Sequence, residues 1–141
     1  MRIVYDKIFL SAPSERATRK DLSLADDLIG TLLENPAWRG MCASMIGKRK
    51  RIIAFLGEGD LSYTVMLNPR MLSREGEYLS FERDISYPEW GAAACVRHSV
   101  ICVEYCGGDM KKRRVALSGA SAQTVEHLVD FMDGASAHFI E

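Results

Sequence analysis

Leu22, Ala25, Leu28, Ile29, Leu32 and Leu33 recur at three- and four-residue intervals, while Asp26, Asp27 and Glu34 fall off that stripe. The pattern predicts an amphipathic helix over residues 18–35. Thr18, followed three residues later by Asp21, resembles a capping box at its start. Asn35-Pro36 ends it, because the proline ring disfavours helical geometry in the residue before it. The period then changes. "RIIAFL" (51–56) and "SYTVML" (62–67) are short runs of apolar, β-branched and aromatic residues with "GEGD" turning between them, which predicts two strands. In "SVICVEYC" (99–106), Ile101, Val103 and Tyr105 alternate with Val100, Cys102, Glu104 and Cys106, as on a third. "GGDM" makes a turn, and "KKRRVAL" (111–117) returns as the second arm of a hairpin. Residues 121–133 predict a last helix, with Ala122, Val125, Val129 and Met132 on one stripe and Thr124, His127, Leu128 and Phe131 on another. Only Gln123, Glu126, Asp130 and Asp133 form a polar edge, so this helix should be buried. A helix, then strands, then a buried helix predicts an α+β domain over residues 1–141.

Composition adds limits. An apolar content of 48% is enough for a core, and 18 Lys+Arg against 19 Asp+Glu leave a formal charge of -1, which does not predict wholesale binding of nucleic acid. No apolar run approaches the roughly 20 residues of a membrane span, and no signal peptide is expected at "MRIVYDKIFLS". The cysteines at 42, 95, 102 and 106 have no paired C-x-x-C spacing and read as reduced thiols of a cytoplasmic protein.

Three features carry candidate chemistry. His127 is one imidazole on a mostly apolar helix, and such a residue is more often part of a core than a ligand; the position one turn on is Phe131. A catalytic zinc needs three protein ligands. Cys42 lies in the glycine-flanked "GMCASMIG" and becomes a nucleophile only beside a base, for which His127 is the candidate. The runs "KRKR" (48–51) and "KKRR" (111–114) can meet RNA phosphates, or can simply be a solvated turn and a charged edge strand.

Taken in order, the segments resemble a peptide deformylase. "FLSAPSERATRKD" and "GMCASMIGKRKRII" are similar to that family's "FLS…A…D" and "GMAANMIG..KRII", "VMLNP" follows, and "VRHSVICVEYCGG" is similar to "R…I.VEY.D". "AQTVEHLVDFMDG" matches "AQ..QHEIDH..G" at Ala122, Gln123, His127, Asp130 and Gly134. The resemblance implies the α+β deformylase fold, with an N-terminal helix, mixed strands and a buried C-terminal helix. It also implies removal of the formyl group from the N-terminal methionine of new polypeptides. Iron or zinc, held by one cysteine and the two histidines of H-E-x-x-H, would activate the water. The motif glutamate would handle the proton, and a main-chain NH with a glutamine would bind the oxyanion.

The chain departs from that pattern where the chemistry sits. Against E-G-C-L-S stands "GEYLS", which puts Tyr78 at the cysteine position and Leu79 at the NH donor. His127 keeps the first histidine, Leu128 replaces the glutamate, Phe131 replaces the second histidine, and Met45 stands at the glutamine. Tyr78 and Phe131 are bulky, and leucine avoids a buried unpaired acid, so the three changes predict an apolar filling of a vacated site. No metal or other cofactor is expected, nor deformylase activity. A residual pocket would involve Gly40, Met41, Cys42, Met45, Trp90, Gly91 and His127, and its partner would be a nascent peptide N-terminus or the ribosome; neither a membrane nor nucleic acid is an expected partner. Two alternatives stand beside this reading. One is an active hydrolase rewired through Cys42 with His127, or through Glu77. The other is an RNA- or ribosome-associated module using the two basic runs.

Overall fold

In the computed structural model, which describes residues 2–57, 62–83, 86 and 91–134, the first amphipathic stripe folds in two pieces. A 3-10 turn at Arg19–Asp21 opens it, and the expected capping box is present, with Thr18 N donating to Asp21 Oδ2 at 2.8 Å. Helix α2 then spans Ser23–Glu34, after a short α1 at Lys7–Leu10 that the periodicity did not announce. Helix α1 forms because Asp6 Oδ1 accepts from Ile8 N (3.0 Å) and Phe9 N (3.3 Å), satisfying donors that a four-residue helix leaves open. On α2 the buried residues are Leu24, Leu28, Thr31 and Leu32, while Leu33 is exposed. Thr31 tolerates burial because its Oγ1 donates to Asp27 O at 2.7 Å.

Five strands follow: β1 (Gly40–Cys42), β2 (Ile52–Leu56), β3 (Tyr63–Glu82), β4 (Ala93–Cys106) and β5 (Lys112–Ser118), paired in sequence order. Every pairing between them is antiparallel, and Glu15 with Lys50 makes an isolated parallel bridge. The expected strand at 62–67 is only the start of β3, which continues to Glu82 as a ribbon with β4. A bulge marks the change: the β3–β4 register shifts between Leu67 and Arg70, and Asn68 adopts φ 51°. Its amide is held on both sides by Ala17, accepting from N at 2.7 Å and donating to O at 2.9 Å. The hairpin expected at 107–110 closes with Met110 N donating to Gly107 O at 2.9 Å. The turn expected at 57–60 falls mostly outside the described residues, which resume after Gly57 N donates to Ser62 O at 3.0 Å.

Helix α3 spans Gly119–Met132 and packs against β1, β2, β4 and β5, burying Ala122, Val125, Leu128, Val129, Phe131 and Met132. Past its end, Gly134 (φ 81°) comes so close to Ser11 that a Cβ there would lie 2.1 Å from Ser11 O, so only glycine fits. The core joins one side of α2 and α3 to Met41, Ile52, Ile53, Phe55, Met66, Leu67, Ile101 and Val103. Among the described residues, no helix is long and apolar enough to cross a membrane.

Candidate functional site

The last helix was expected to close over a dry, apolar pocket, but it holds a buried polar network. Glu82, at the end of β3, lies beneath His127 and is 6% exposed. His127 Nδ1 is 2.6 Å from Glu82 Oε1. Arg97, from β4, donates Nε to both Glu82 oxygens (3.1 and 3.0 Å) and Nη2 to Oε1 (2.8 Å), with Nη1 on Asp130 Oδ2 at 2.5 Å. Ser80 Oγ donates to Glu82 Oε2 (2.9 Å), and Gln123 Nε2 reaches both that oxygen (3.2 Å) and Ser80 Oγ (3.0 Å). Burial alone would raise the Glu82 pKa, but the hydrogen bonds from His127 and Arg97 outweigh it and hold the carboxyl well below the usual carboxylate range. Burial likewise works against the Arg97 charge, and its bonds to Glu82 and Asp130 more than offset that.

Above this network opens a cavity of about 470 Å³. Trp38, Arg39, Gly40 and Met45 form one wall, Gln123, Thr124, His127 and Leu128 a second, and Phe81, Glu82, Arg83 and Ala92 a third. Of the residues named for a pocket, Gly40, Met45 and His127 line it. Met41 and Cys42 point into the core at 0% exposure, Gly91 is half-buried beside the cavity without lining it, and Trp90 lies outside the described residues.

The expected filling of the site is corrected in part. Phe131 is buried and stacks against His127, with ring centroids 6.4 Å apart and planes 20° apart. Tyr78 fills nothing: it sits opposite Arg97 on the ribbon, 38% exposed, and does not line the cavity. Leu79 is 62% exposed and does not line the cavity. Glu77, the acid named for a rewired hydrolase, is solvent-exposed and 4.0 Å from His98. Cys42, its nucleophile, has its Sγ 3.2 Å from Ser44 Oγ in the closed core.

The frame of the strand motif explains the discrepancy. A cysteine sulfur and a histidine nitrogen that share a metal each lie one bond from it, roughly 2.0–2.3 Å, and so within two bond lengths of each other. The segment that reaches His127 therefore carries the motif, and that segment begins at Glu82. "ERDIS" (82–86) has glutamate first, an aliphatic residue fourth and serine last, in step with E-G-C-L-S, and both Glu82 and Ser86 are buried. In that frame the cysteine position is Asp84, and the NH donor is Ile85 in place of Leu79; both lie outside the described residues. Sequence reasoning missed Glu82, Arg97 and the "ERDIS" window, whose spacing was the available signal.

The donors present do not make the family's metal site. His127 keeps a carboxylate on its Nδ1, the kind of support that orients a ligand imidazole. One helical turn on, however, the second imidazole is replaced by the buried ring of Phe131, and the acid beside His127 is replaced by Leu128 on the cavity wall. Among the described residues no three His, Cys, Asp or Glu side chains are grouped to hold an ion.

Comparison with known proteins agrees with the architecture. The sequence model described as "Polypeptide deformylase" matches residues 3–138. A peptide deformylase of Clostridium beijerinckii is 36% identical over 133 residues, 94% of this chain and 95% of its own. A peptide deformylase of Agathobacter rectalis is 30% identical over 83% of this chain and 72% of its own. Among solved structures, the Thermus thermophilus peptide deformylase superposes with a TM-score of 0.83 at 25% identity, covering 96% of this chain and 81% of that one. The class I type b peptide deformylase of Acinetobacter baumannii, in its Met-Ala-Ser-bound form, gives a TM-score of 0.88 at 21% identity over 99% and 98%. From fold, motif order and these matches together, the chain belongs to the polypeptide deformylase family.

Proposed function

We propose that this chain binds the N-terminus of a peptide in the cavity beside His127 and does not carry out the family's metal-dependent deformylation. The observation that carries the reading is the pairing of His127 with Phe131. The one imidazole kept from H-E-x-x-H stacks on the phenyl ring that replaces its partner. A catalytic metal needs donors on both turns and an acid to move the proton, and Phe131 and Leu128 supply neither. The cavity supports binding. Trp38, Met45, Phe81 and Leu128 give it apolar walls suited to a first side chain such as methionine. The related fold from Acinetobacter baumannii holds a Met-Ala-Ser peptide. His127, fixed by Glu82, and Gln123 offer the polar groups that would orient a main chain. The setting this implies is the cytoplasm, where new polypeptides emerge.

The test uses the purified protein beside a variant carrying Asp84→Cys, Leu128→Glu and Phe131→His. The protein itself should contain no stoichiometric iron or zinc, should leave a formyl-Met-Ala-Ser peptide intact, and should bind Met-Ala-Ser with quenching of Trp38. The variant should gain metal. Stoichiometric metal in the unaltered protein, with turnover that a chelator abolishes, refutes the reading.

A second reading has one specific observation behind it, the 2.6 Å carboxylate–imidazole couple of Glu82 and His127 at the cavity wall. Such a couple can take a proton from water attacking an amide. Turnover that survives a chelator and is lost in His127→Gln would favour it over the first.

A further inference from the structure

The two basic runs sit in different parts of the fold, residues 111–114 at the start of β5 and residues 48–51 beside residues 14–17. In residues 111–114, Arg113 is engaged by Asp109 through two bonds (2.6 and 2.7 Å), while Lys112 and Arg114 flank Glu104 at 3.8 and 3.4 Å. Arg70 shares Glu104 as well, so that edge strand also keeps an excess of cations. In the run at 48–51 the excess lies at its start. Arg51 pairs with Asp133 and Lys50 with Glu15 (3.2 Å), but Lys48 and Arg49 are exposed and have no acidic partner among the described residues.

The chain then adds to this surface from another direction. Residues 14–17 run beside 49–51 through the Glu15–Lys50 bridge, with Glu15 N donating to Arg49 O (2.9 Å) and Arg51 N to Glu15 O (2.8 Å). This brings exposed Arg16 next to the run, again without an acidic partner among the described residues, and Arg19 and Lys20 follow shortly after. Lys48, Arg49, Lys50 and Arg16 are four cations against two acids, Glu15 and the Asp6 carboxylate at Phe9 N, in a chain whose total is -1. A balanced total therefore hides a segregated charge.

Aromatic side chains border the same surface. The guanidinium of Arg49 lies 4.8 Å over the Phe9 ring. Phe9, Glu15, Gly47, Lys48, Arg49 and Lys50 together line a shallow recess of about 260 Å³. Val4 N donates to Met45 O at 2.7 Å and Val4 faces Gly47, so Tyr5, 60% exposed, follows in the chain next to this segment. Phe9 is half-buried and packs against the core, so its ring meets this surface only at the recess, under Arg49. Cations that track phosphates, with an aromatic ring at hand, suit a flexible single strand of nucleic acid. A carboxylate-rich protein would use the cations but not the rings.

We infer that the surface formed by Lys48, Arg49, Lys50 and Arg16, with Phe9 and Tyr5, binds single-stranded RNA. The surface is separate from the cavity at His127, so neither reading depends on the other. The test is fluorescence anisotropy with a labelled oligouridylate about 12 nucleotides long. With three to four phosphate contacts at a slope of about 0.7 per contact, affinity should fall roughly 20- to 50-fold between about 50 and 200 mM salt. Replacing two contacts, as Lys48→Gln with Arg49→Gln, should lower the log–log salt slope by about 1.4 and weaken binding at low salt. Lys111→Gln with Arg114→Gln should change neither. The single variant Arg16→Gln, at an exposed position, should give about half the slope change and guards against misfolding of the double variant. Absence of binding at low salt, or equal binding by the 48/49 variant and the unaltered protein, overturns the inference. Displacement of the RNA by polyglutamate at equal charge concentration would also overturn it, in favour of an acidic protein partner.

Discussion

His127 and Arg97 do not touch each other through any bond, yet both close on the same carboxylate: Glu82 Oε1 lies 2.6 Å from His127 Nδ1 and 2.8 Å from Arg97 Nη2. Glu82 is therefore the joint between the β3–β4 ribbon and α3, and it orients the imidazole. A neutral His127 places its proton on Nδ1 toward Glu82. The arrangement is costly to break. Glu82 and Arg97 side chains are each 4% exposed, and removing one partner leaves the other charge buried without compensation. Arg97→Met should destabilise the protein by about 3–5 kcal/mol, measured by urea unfolding. The double variant Glu82→Met with Arg97→Met should lose clearly less than the sum of the two single changes, because neither charge is then stranded. Additive losses would mean that the two residues act independently.

The same carboxylate sets an acid limit. The folded pKa of Glu82 is depressed, so between its folded value and the ordinary value near 4.3 the unfolded chain binds more protons. Protonation in that window favours unfolding. The contribution of Glu82 is thus fully present above about pH 5 and is lost as the pH falls through the acid range. Asp109 is also held low, by the hydrogen bond from Arg113, and it stays in place in a Glu82→Gln variant. Denaturation midpoints followed from neutral to acid pH should fall less steeply for Glu82→Gln than for the unaltered protein. Parallel curves would contradict the assignment.

The readable parts of this fold are those where burial imposes a period. Helices α2 and α3 and the strands β2 and β5 each present one regular apolar face, and their extents fall within a few residues of the expectation, whereas β4 begins at Ala93, six residues before the expected strand. The second half of β3 does not, because residues 70–79 of the ribbon are mostly solvent-exposed and carry no alternation to read. The three residues of β1 are buried on both sides, which looks the same as any apolar segment. At the site, His127 stood out because of its helix, but Glu82 and Arg97 are 15 residues apart and look like two surface charges until the ribbon pairs them. Two windows end in an aliphatic residue and serine, "GEYLS" and "ERDIS"; the first keeps the leucine, the second the leading glutamate, and the approach of Glu82 to His127 selects the second.

Cys95 lies in the same neighbourhood, opposite Ser80 on the ribbon. Burial pushes its thiol up to about 11, with Arg97 pulling the other way and Glu82 adding to the rise. At pH 8 its thiolate fraction should be about two hundred times lower than that of an ordinary cysteine of pKa about 8.5. A more basic thiolate is intrinsically more nucleophilic and recovers about tenfold of this. Alkylation by iodoacetamide, followed by peptide mass spectrometry, should therefore be roughly 20-fold slower at Cys95 than at a reference thiol. Equal rates would show that the thiol is neither desolvated nor close to Glu82.

The cavity makes a last prediction through Gly40. A Cβ built there lies 2.9 Å from both Leu128 Cδ1 and Thr124 Cγ2, and 3.0 Å from Ala54 O. Two of those neighbours are side-chain ends that can turn away, but the third is backbone held in the β1–β2 ladder. Gly40→Ala should therefore cost about 1–3 kcal/mol, as overpacking does, and should narrow the cavity by driving Leu128 and Thr124 into it. Adding Leu128→Ala relieves one contact but leaves Ala54 O in place, so stability should return only in part. Peptide binding is more sensitive to this choice than stability is. The single variant should bind Met-Ala-Ser more weakly by Trp38 fluorescence, and the double variant should recover binding as the space reopens. Unchanged binding in Gly40→Ala would show that this wall takes no part in holding the peptide.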